Sequence, residues 1–140
     1  MKNIYAAVSI IFLLFYSCSG NNTENIIEIR EKMFITQTND IYLNPAEYLG
    51  KKIRYEGIYH EYYYPESDER LCSVFRFGPG CCGTDGYAGF EVKWNGTIPE
   101  DNAWVEVTGI LNEDKTNGYL YLNVLTLKEK NARGKEFVEY

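Results

Sequence analysis

Residues 103–111 read A-W-V-E-V-T-G-I-L, and this short run decides the fold. Ala103, Val105, Val107 and Leu111 share one parity, while Trp104, Glu106 and Thr108 share the other. Alternation of period two is the mark of a half-buried strand, because successive side chains point to opposite faces. The same period recurs outward from this run. Lys52, Arg54 and Glu56 alternate with Ile53, Tyr55, Gly57 and Tyr59. Leu71, Ser73, Phe75 and Phe77 alternate with Cys72, Val74 and Arg76, and Ala88, Phe90, Val92 and Trp94 with Gly89, Glu91 and Lys93. A last run keeps Leu120, Leu122 and Val124 in phase, then shifts to Leu125 and Leu127, which predicts a bulge.

Turn residues separate the runs. They are Pro65-Glu66-Ser67-Asp68, Asn95-Gly96, Pro99-Glu100-Asp101-Asn102 and Lys115-Thr116-Asn117-Gly118. Asn44-Pro45-Ala46-Glu47-Tyr48-Leu49-Gly50 predicts one helical turn, entered at Asn44 and stopped at Gly50. In residues 26–38, Ile27, Ile29, Met33 and Ile35 share a parity and predict a further strand. The helical spacing of Ile26, Ile29 and Met33 is the alternative. Asn39-Asp40 then reads as a turn. Five or six short strands with one helical turn predict an all-β domain, a small closed or partly open OB-like barrel. Gly57, Gly89 and Gly109 are its expected kinks.

The N-terminus reads differently. Lys2 precedes an apolar run over residues 4–16, followed by Ser17-Cys18-Ser19-Gly20. This is the order of a secretory signal. As a helix the run spans roughly 20 Å, short of a hydrocarbon core of roughly 30 Å. The cysteine after Ser17 resembles a bacterial lipoprotein signal, although Phe15 and Tyr16 are bulkier than that pattern prefers. The expected organisation is a signal peptide at 1–17, a tether at 18–24 and one domain at 25–140. Cys18 would carry a lipid that holds the domain to the membrane on the extracytoplasmic side of a bacterial cell envelope.

Removing residues 1–17 leaves about 123 residues, enough for one domain. The balance is then 13 basic against 20 acidic residues, a net charge of −7. That surplus argues against nucleic acid as a partner, since phosphodiester affinity comes largely from Lys and Arg. The 13 tyrosines favour strands and wet interfaces. The match of Asn21-Asn22-Thr23 and Asn95-Gly96-Thr97 to a glycosylation sequon carries no meaning in a bacterial lipoprotein.

Residues 76–85, R-F-G-P-G-C-C-G-T-D, hold the chemistry. Glycine and proline predict turns here, with the thiols at a connection outside any ladder. With Cys18 lipidated, Cys72, Cys81 and Cys82 remain, and three readings stay open. A hairpin would bring Cys72 toward Cys81 or Cys82 for a disulfide, or the thiols stay reduced and buried. Cys81, Cys82 and Asp85, completed by His60 or Cys72, offer a zinc site, or a copper(I) site if the sulfurs act alone. Thiol-redox chemistry at Cys81 and Cys82 would need nearby positive charge, and Arg76 is the close basic residue. Arg76 is instead expected to pair with Asp85 across the loop.

A separate candidate is the aromatic cluster Tyr62, Tyr63 and Tyr64 beside His60, extended by Tyr87, Trp94 and Trp104, a surface for a ligand or partner. No phosphate loop or paired-carboxylate motif is present, and His60, the one histidine, has no evident acidic partner in sequence. A non-catalytic role is therefore expected.

Residues 42–124 resemble the soluble C-terminal domain of the YcgQ-like family. The matching pieces are Leu49-Gly50-Lys51-Lys52-Ile53, the Arg76, Cys81-Cys82 and Asp85 signature, and Trp104-Val105-Glu106-Val107-Thr108-Gly109. These are bacterial membrane-associated proteins, often encoded beside a predicted permease, to which no reaction is assigned. The resemblance implies an OB-like fold, an extracytoplasmic face and a membrane permease as partner. Family members typically carry transmembrane helices before this domain, where this chain has only its signal-like segment. Cys72 stands outside the signature.

Overall fold

The structure is a computed structural model that describes residues 25–81 and 83–140, without the side chains of residues 83 and 84. The signal segment, Cys18, the tether at 18–24 and Cys82 lie outside the described residues.

Six strands form one sheet: β1 (Ile26–Glu28), β2 (Lys52–Tyr64), β3 (Glu69–Gly80), β4 (Gly83–Lys93), β5 (Trp104–Glu113) and β6 (Leu120–Glu129). The order is β1-β2-β3-β4-β6-β5, and β2 pairs again with β5, closing a five-stranded ring. β4 and β6 run parallel, while the other pairs around the ring are antiparallel. This is the OB-like barrel that the alternation predicts.

One long strand serves both sides of the closure. Residues 52–58 of β2 pair with β5, and residues 58–64 pair with β3. The strand turns between them at Gly57, where a Cβ would lie 2.7 Å from the Phe75 carbonyl oxygen. Gly89 has φ +154°, and a Cβ there would meet the Val74 carbonyl oxygen at 2.1 Å. The Tyr55 hydroxyl fills the gap this kink opens in the β3–β4 ladder. It donates to the Val74 carbonyl at 2.8 Å and accepts from the Phe90 N–H at 3.2 Å.

Inward side chains of all five strands make the core, with Ile53, Val74, Phe90, Val105, Val107, Leu111 and Leu122 buried. Each such side chain contributes about 1.5–3 kcal/mol by leaving water. The phase shift in the last run is a bulge at Leu125. Thr126 pairs with Thr108 and Val124 with Gly109, so Leu125 is the extra residue. Val124 and Leu127 can then both pack on the core.

Residues 26–38 depart from the expected strand. β1 stops at Glu28, a 3-10 turn follows at Glu31–Met33, and helix α1 spans Phe34–Leu43. Phe34, Ile35, Thr38 and Ile41 are its buried face. That spacing is helical, and the expected turn at Asn39-Asp40 lies inside the helix. The Thr38 hydroxyl donates to the Phe34 carbonyl at 2.6 Å, which accommodates a β-branched polar residue against the core. The helical turn α2 (Pro45–Tyr48) forms as expected, and Gly50 ends it at φ +78°.

The glycine-rich segment also differs. β3 runs to Gly80 and β4 starts at Gly83, with Gly78 paired to Gly86 and Gly80 to Gly83. Glycine facing glycine lets the backbones approach closely enough to keep a ladder, since a Cβ at Gly86 would lie 2.6 Å from the Pro79 carbonyl oxygen. The connection shrinks to positions 81 and 82. The C-terminal tail adds a last contact: Phe137 bridges Phe77, and Val138 is buried.

Candidate functional site

Alternation that turns one parity to the barrel core turns the other outward, where Ile58 and Phe75 are still covered. On β2 to β4 the outward set is Ile58, His60, Tyr62 and Tyr64, then Leu71, Ser73, Phe75 and Phe77, then Tyr87, Gly89 and Glu91. The ladder sets Tyr62 opposite Leu71, Ser73 between His60 and Glu91, and Phe77 opposite Tyr87. Aromatic rings meet edge to face along and across it. Phe75 lies 5.3 Å from Phe77 and 5.7 Å from Tyr87, and His60 lies 4.2 Å from Tyr62. Tyr87 keeps 75% of its surface in solvent.

A cleft of about 300 Å³ opens on this face, walled by Tyr42, Tyr62, Tyr64, Phe75 and Tyr87 with Ser73 and Glu91. Tyr42 comes from α1, stacks on Phe90 at 5.2 Å and donates to the Gly89 carbonyl at 2.8 Å. Burial, with Tyr87 and Glu91 nearby, pushes its phenol up to about 12. Burial also raises the Glu91 carboxyl; Lys93 opposes this and Asp114 adds to it. A second cleft of about 450 Å³ shares Leu71 and Glu91 and continues to Asp114 and Tyr119. There Lys93 Nζ sits 3.8 Å over the Tyr121 ring.

Of the three tyrosines singled out in sequence, Tyr62 and Tyr64 share the cleft and Tyr63 does not. Tyr63 has the other parity. Its hydroxyl donates to Asp68 at 3.0 Å, and Arg70 lies 5.3 Å over its ring.

His60 has an acidic partner after all, a correction to the sequence reading. Its Nδ1 lies 2.6 Å from Asp101 Oδ1, which also accepts the Glu61 N–H at 3.1 Å. That backbone N–H first, and then His60, hold the Asp101 carboxyl below its ordinary value. The two residues stand 41 positions apart. They meet because the loop before β5 pairs with β2, through Tyr59 N–H to the Ala103 carbonyl at 2.9 Å and Asn102 N–H to the Tyr59 carbonyl at 2.8 Å. Asp101 orients the imidazole through Nδ1. Ser73 sits opposite His60, yet among the described residues the two side chains make no hydrogen bond.

Among the described residues, the two cysteines Cys72 and Cys81 stand apart. Cys81 sits at the β3–β4 tip, its Sγ 3.6 Å from Asp85 Oδ2. Cys72 lies nine residues back along β3, about 30 Å at the rise of a strand, far beyond disulfide range. It faces the core and accepts the Tyr59 hydroxyl at 3.1 Å. His60 is equally remote from the tip, opposite Ser73. Among the described residues, no three of His, Cys, Asp and Glu converge on one point.

Arg76 is turned away from the tip. It is buried, its Nε donates to the Glu56 carbonyl at 2.7 Å, and its Nη1 donates to the Lys135 carbonyl at 3.1 Å. The carboxylate partner among its described contacts is Glu31, at 3.4 Å, in place of the expected Asp85. Burial lowers the guanidinium pKa, and Glu31 and Glu56 counter it. No local signal in the sequence marks this role, since its partners come from β2, the 3-10 turn and the tail.

Barrel and face together define a small OB-like domain with an aromatic surface across its first three barrel strands. The family model of the DUF1980 C-terminal domain matches residues 18–137, and the chain belongs to that family. No curated protein and no solved structure matches the chain.

Proposed function

We propose that the chain is a lipid-anchored lipoprotein of the bacterial cell envelope. Its barrel is a non-catalytic binding domain that serves a membrane transporter through the face of β2 to β4. The observation that carries this reading is the exposed run of Tyr62, Tyr64, Phe77 and Tyr87 on one face of the barrel. Contiguous exposed aromatics cost solvation and mark a binding surface. The acidic balance of the domain favours a partner other than nucleic acid. The segment around Cys18 supports the anchor, and the resemblance to YcgQ-like domains supports a permease as the partner.

The full chain, expressed in a bacterial envelope, tests both parts. Cys18→Ala releases the domain from the membrane fraction. Mild extraction of the unaltered chain recovers a transporter, and the Tyr62→Ala/Tyr87→Ala double variant loses it. Recovery of only lipid and unrelated abundant proteins removes the accessory role.

The contact between Cys81 and Asp85 supports a second reading, in which Cys81, Cys82 and Asp85 hold zinc or copper at the hairpin tip. Reducing, chelator-free purification then yields stoichiometric metal that Cys81→Ser and Cys82→Ser abolish. Metal-free protein under those conditions excludes it.

A further inference from the structure

The lining of the 300 Å³ cleft has an unusual charge pattern. Its walls carry the rings of Tyr42, Tyr62, Tyr64, Phe75 and Tyr87, and neither Lys nor Arg lines it. Glu91 is its one carboxylate. The nearest lysine along β4, Lys93, is drawn aside over Tyr121 in the neighbouring cleft. Aromatic faces are negative, and several rings gathered around one point attract an ammonium ion. A carboxylate at the wall adds to that attraction. The volume lies at the small end of ligand pockets, right for a compact molecule and too small for a folded partner's edge.

We propose that this cleft binds a small organic ammonium ion, its aromatic walls and Glu91 together supplying the attraction. The proposal rests on the binding role above and names the class of ligand. Two further observations agree with it. Burial raises the Glu91 carboxyl despite the opposing charge of Lys93, so the group is held partly out of water at a cost that Lys93 does not fully offset and a bound cation reduces. Ser73 pairs with Glu91 across the ladder and also lines the cleft, so its hydroxyl is placed to bond a polar group on the same small molecule.

Choline and its uncharged carbon isostere, in which carbon replaces the nitrogen, make the test. Both are titrated into the full-length chain in detergent, with calorimetry and the ring resonances of the tyrosines as readouts. Choline shifts the rings of Tyr62 and Tyr87, and the isostere binds about tenfold more weakly or not at all. Glu91→Gln and Tyr87→Leu each weaken choline by about fivefold to tenfold. Tyr63→Leu, on the other side of the hairpin, leaves it unchanged. Should Tyr87→Leu fail to fold, Glu91→Gln decides alone, since it keeps shape and removes only charge. Equal affinity for choline and the isostere overturns the proposal, as does binding indifferent to Glu91→Gln or no ring shift at millimolar choline. Loss of choline binding with the transporter still recovered sinks only this inference. Choline binding without any transporter sinks only the accessory role.

Discussion

The guanidinium of Arg76 lies 4.8 Å from the centre of the Trp104 ring, and this contact ties together parts of the barrel that no ladder joins. Phe34 lies 4.9 Å away on α1, and the indole N–H of Trp104 donates to Glu56 at 3.1 Å. Arg76 thus plugs the gap where β3 leaves β2, bonding the backbone of β2 and of the tail at once. Arg76→Met leaves two carbonyls unpaired and is expected to cost about 3 kcal/mol, read as a lower urea midpoint. Arg76→Lys does not restore it, because an ammonium lacks the planar fork that reaches both carbonyls.

Tyr55 substitutes for a missing rung between Val74 and Phe90. Tyr55→Phe keeps the ring and removes the rung. The expected loss is about 1–3 kcal/mol, with faster hydrogen exchange at the Phe90 amide as its local signature. Gly89→Ala costs more than about 2 kcal/mol, since its Cβ would overlap the Val74 carbonyl and its φ is strained for any L side chain.

Glu56 and Glu91 pull stability in opposite directions with pH. Burial raises the Glu56 carboxyl, but hydrogen bonds from Trp104 and Lys130 outweigh it and hold it below its ordinary 4.5. Its contribution is present above 4.5 and is lost as pH falls through the depressed folded value. Glu91 is raised, so its contribution is full below 4.5 and is lost as pH rises through the elevated folded value. At neutral pH, Glu56→Gln lowers the urea midpoint, whereas Glu91→Gln leaves it unchanged or raises it. A lower midpoint for Glu91→Gln would show that the ionised carboxylate stabilises the fold.

Cys72 faces the core, half-buried and bonded to Tyr59. Alkylation without reductant is expected to modify Cys72 slowly in the folded chain and fully in denaturant. Mass spectrometry of the peptide spanning β3 reads this, and a Cys72 that resists alkylation in denaturant until reductant is added contradicts it.

Much of the barrel was legible because its signal is local. Val105, Val107 and Leu111 announce an inward face by period alone, and the slip from Val124 to Leu127 announced the bulge at Leu125. The strand period misleads at α1, because Ile27, Ile29, Met33 and Ile35 share a parity across what is a strand, a 3-10 turn and a helix start. The face was half legible. Tyr62, Tyr64 and Tyr87 carry an aromatic signal in sequence, while Tyr42 comes from α1 and Glu91 from β4, and neither shares a motif with them.

By itself the sequence determined which residues point together along each strand, where the chain turns and where one strand slips phase. Those are properties of neighbours, set by backbone period and turn chemistry. Only the tertiary structure decided that β2 closes onto β5, that Asp101 meets His60, that Arg76 turns to Trp104 and Glu56, and that Cys72 stands far from Cys81. Each depends on how the barrel closes and which register its ladders adopt. Closure joins residues distant along the chain by packing the whole core, a quantity that no short stretch of sequence contains.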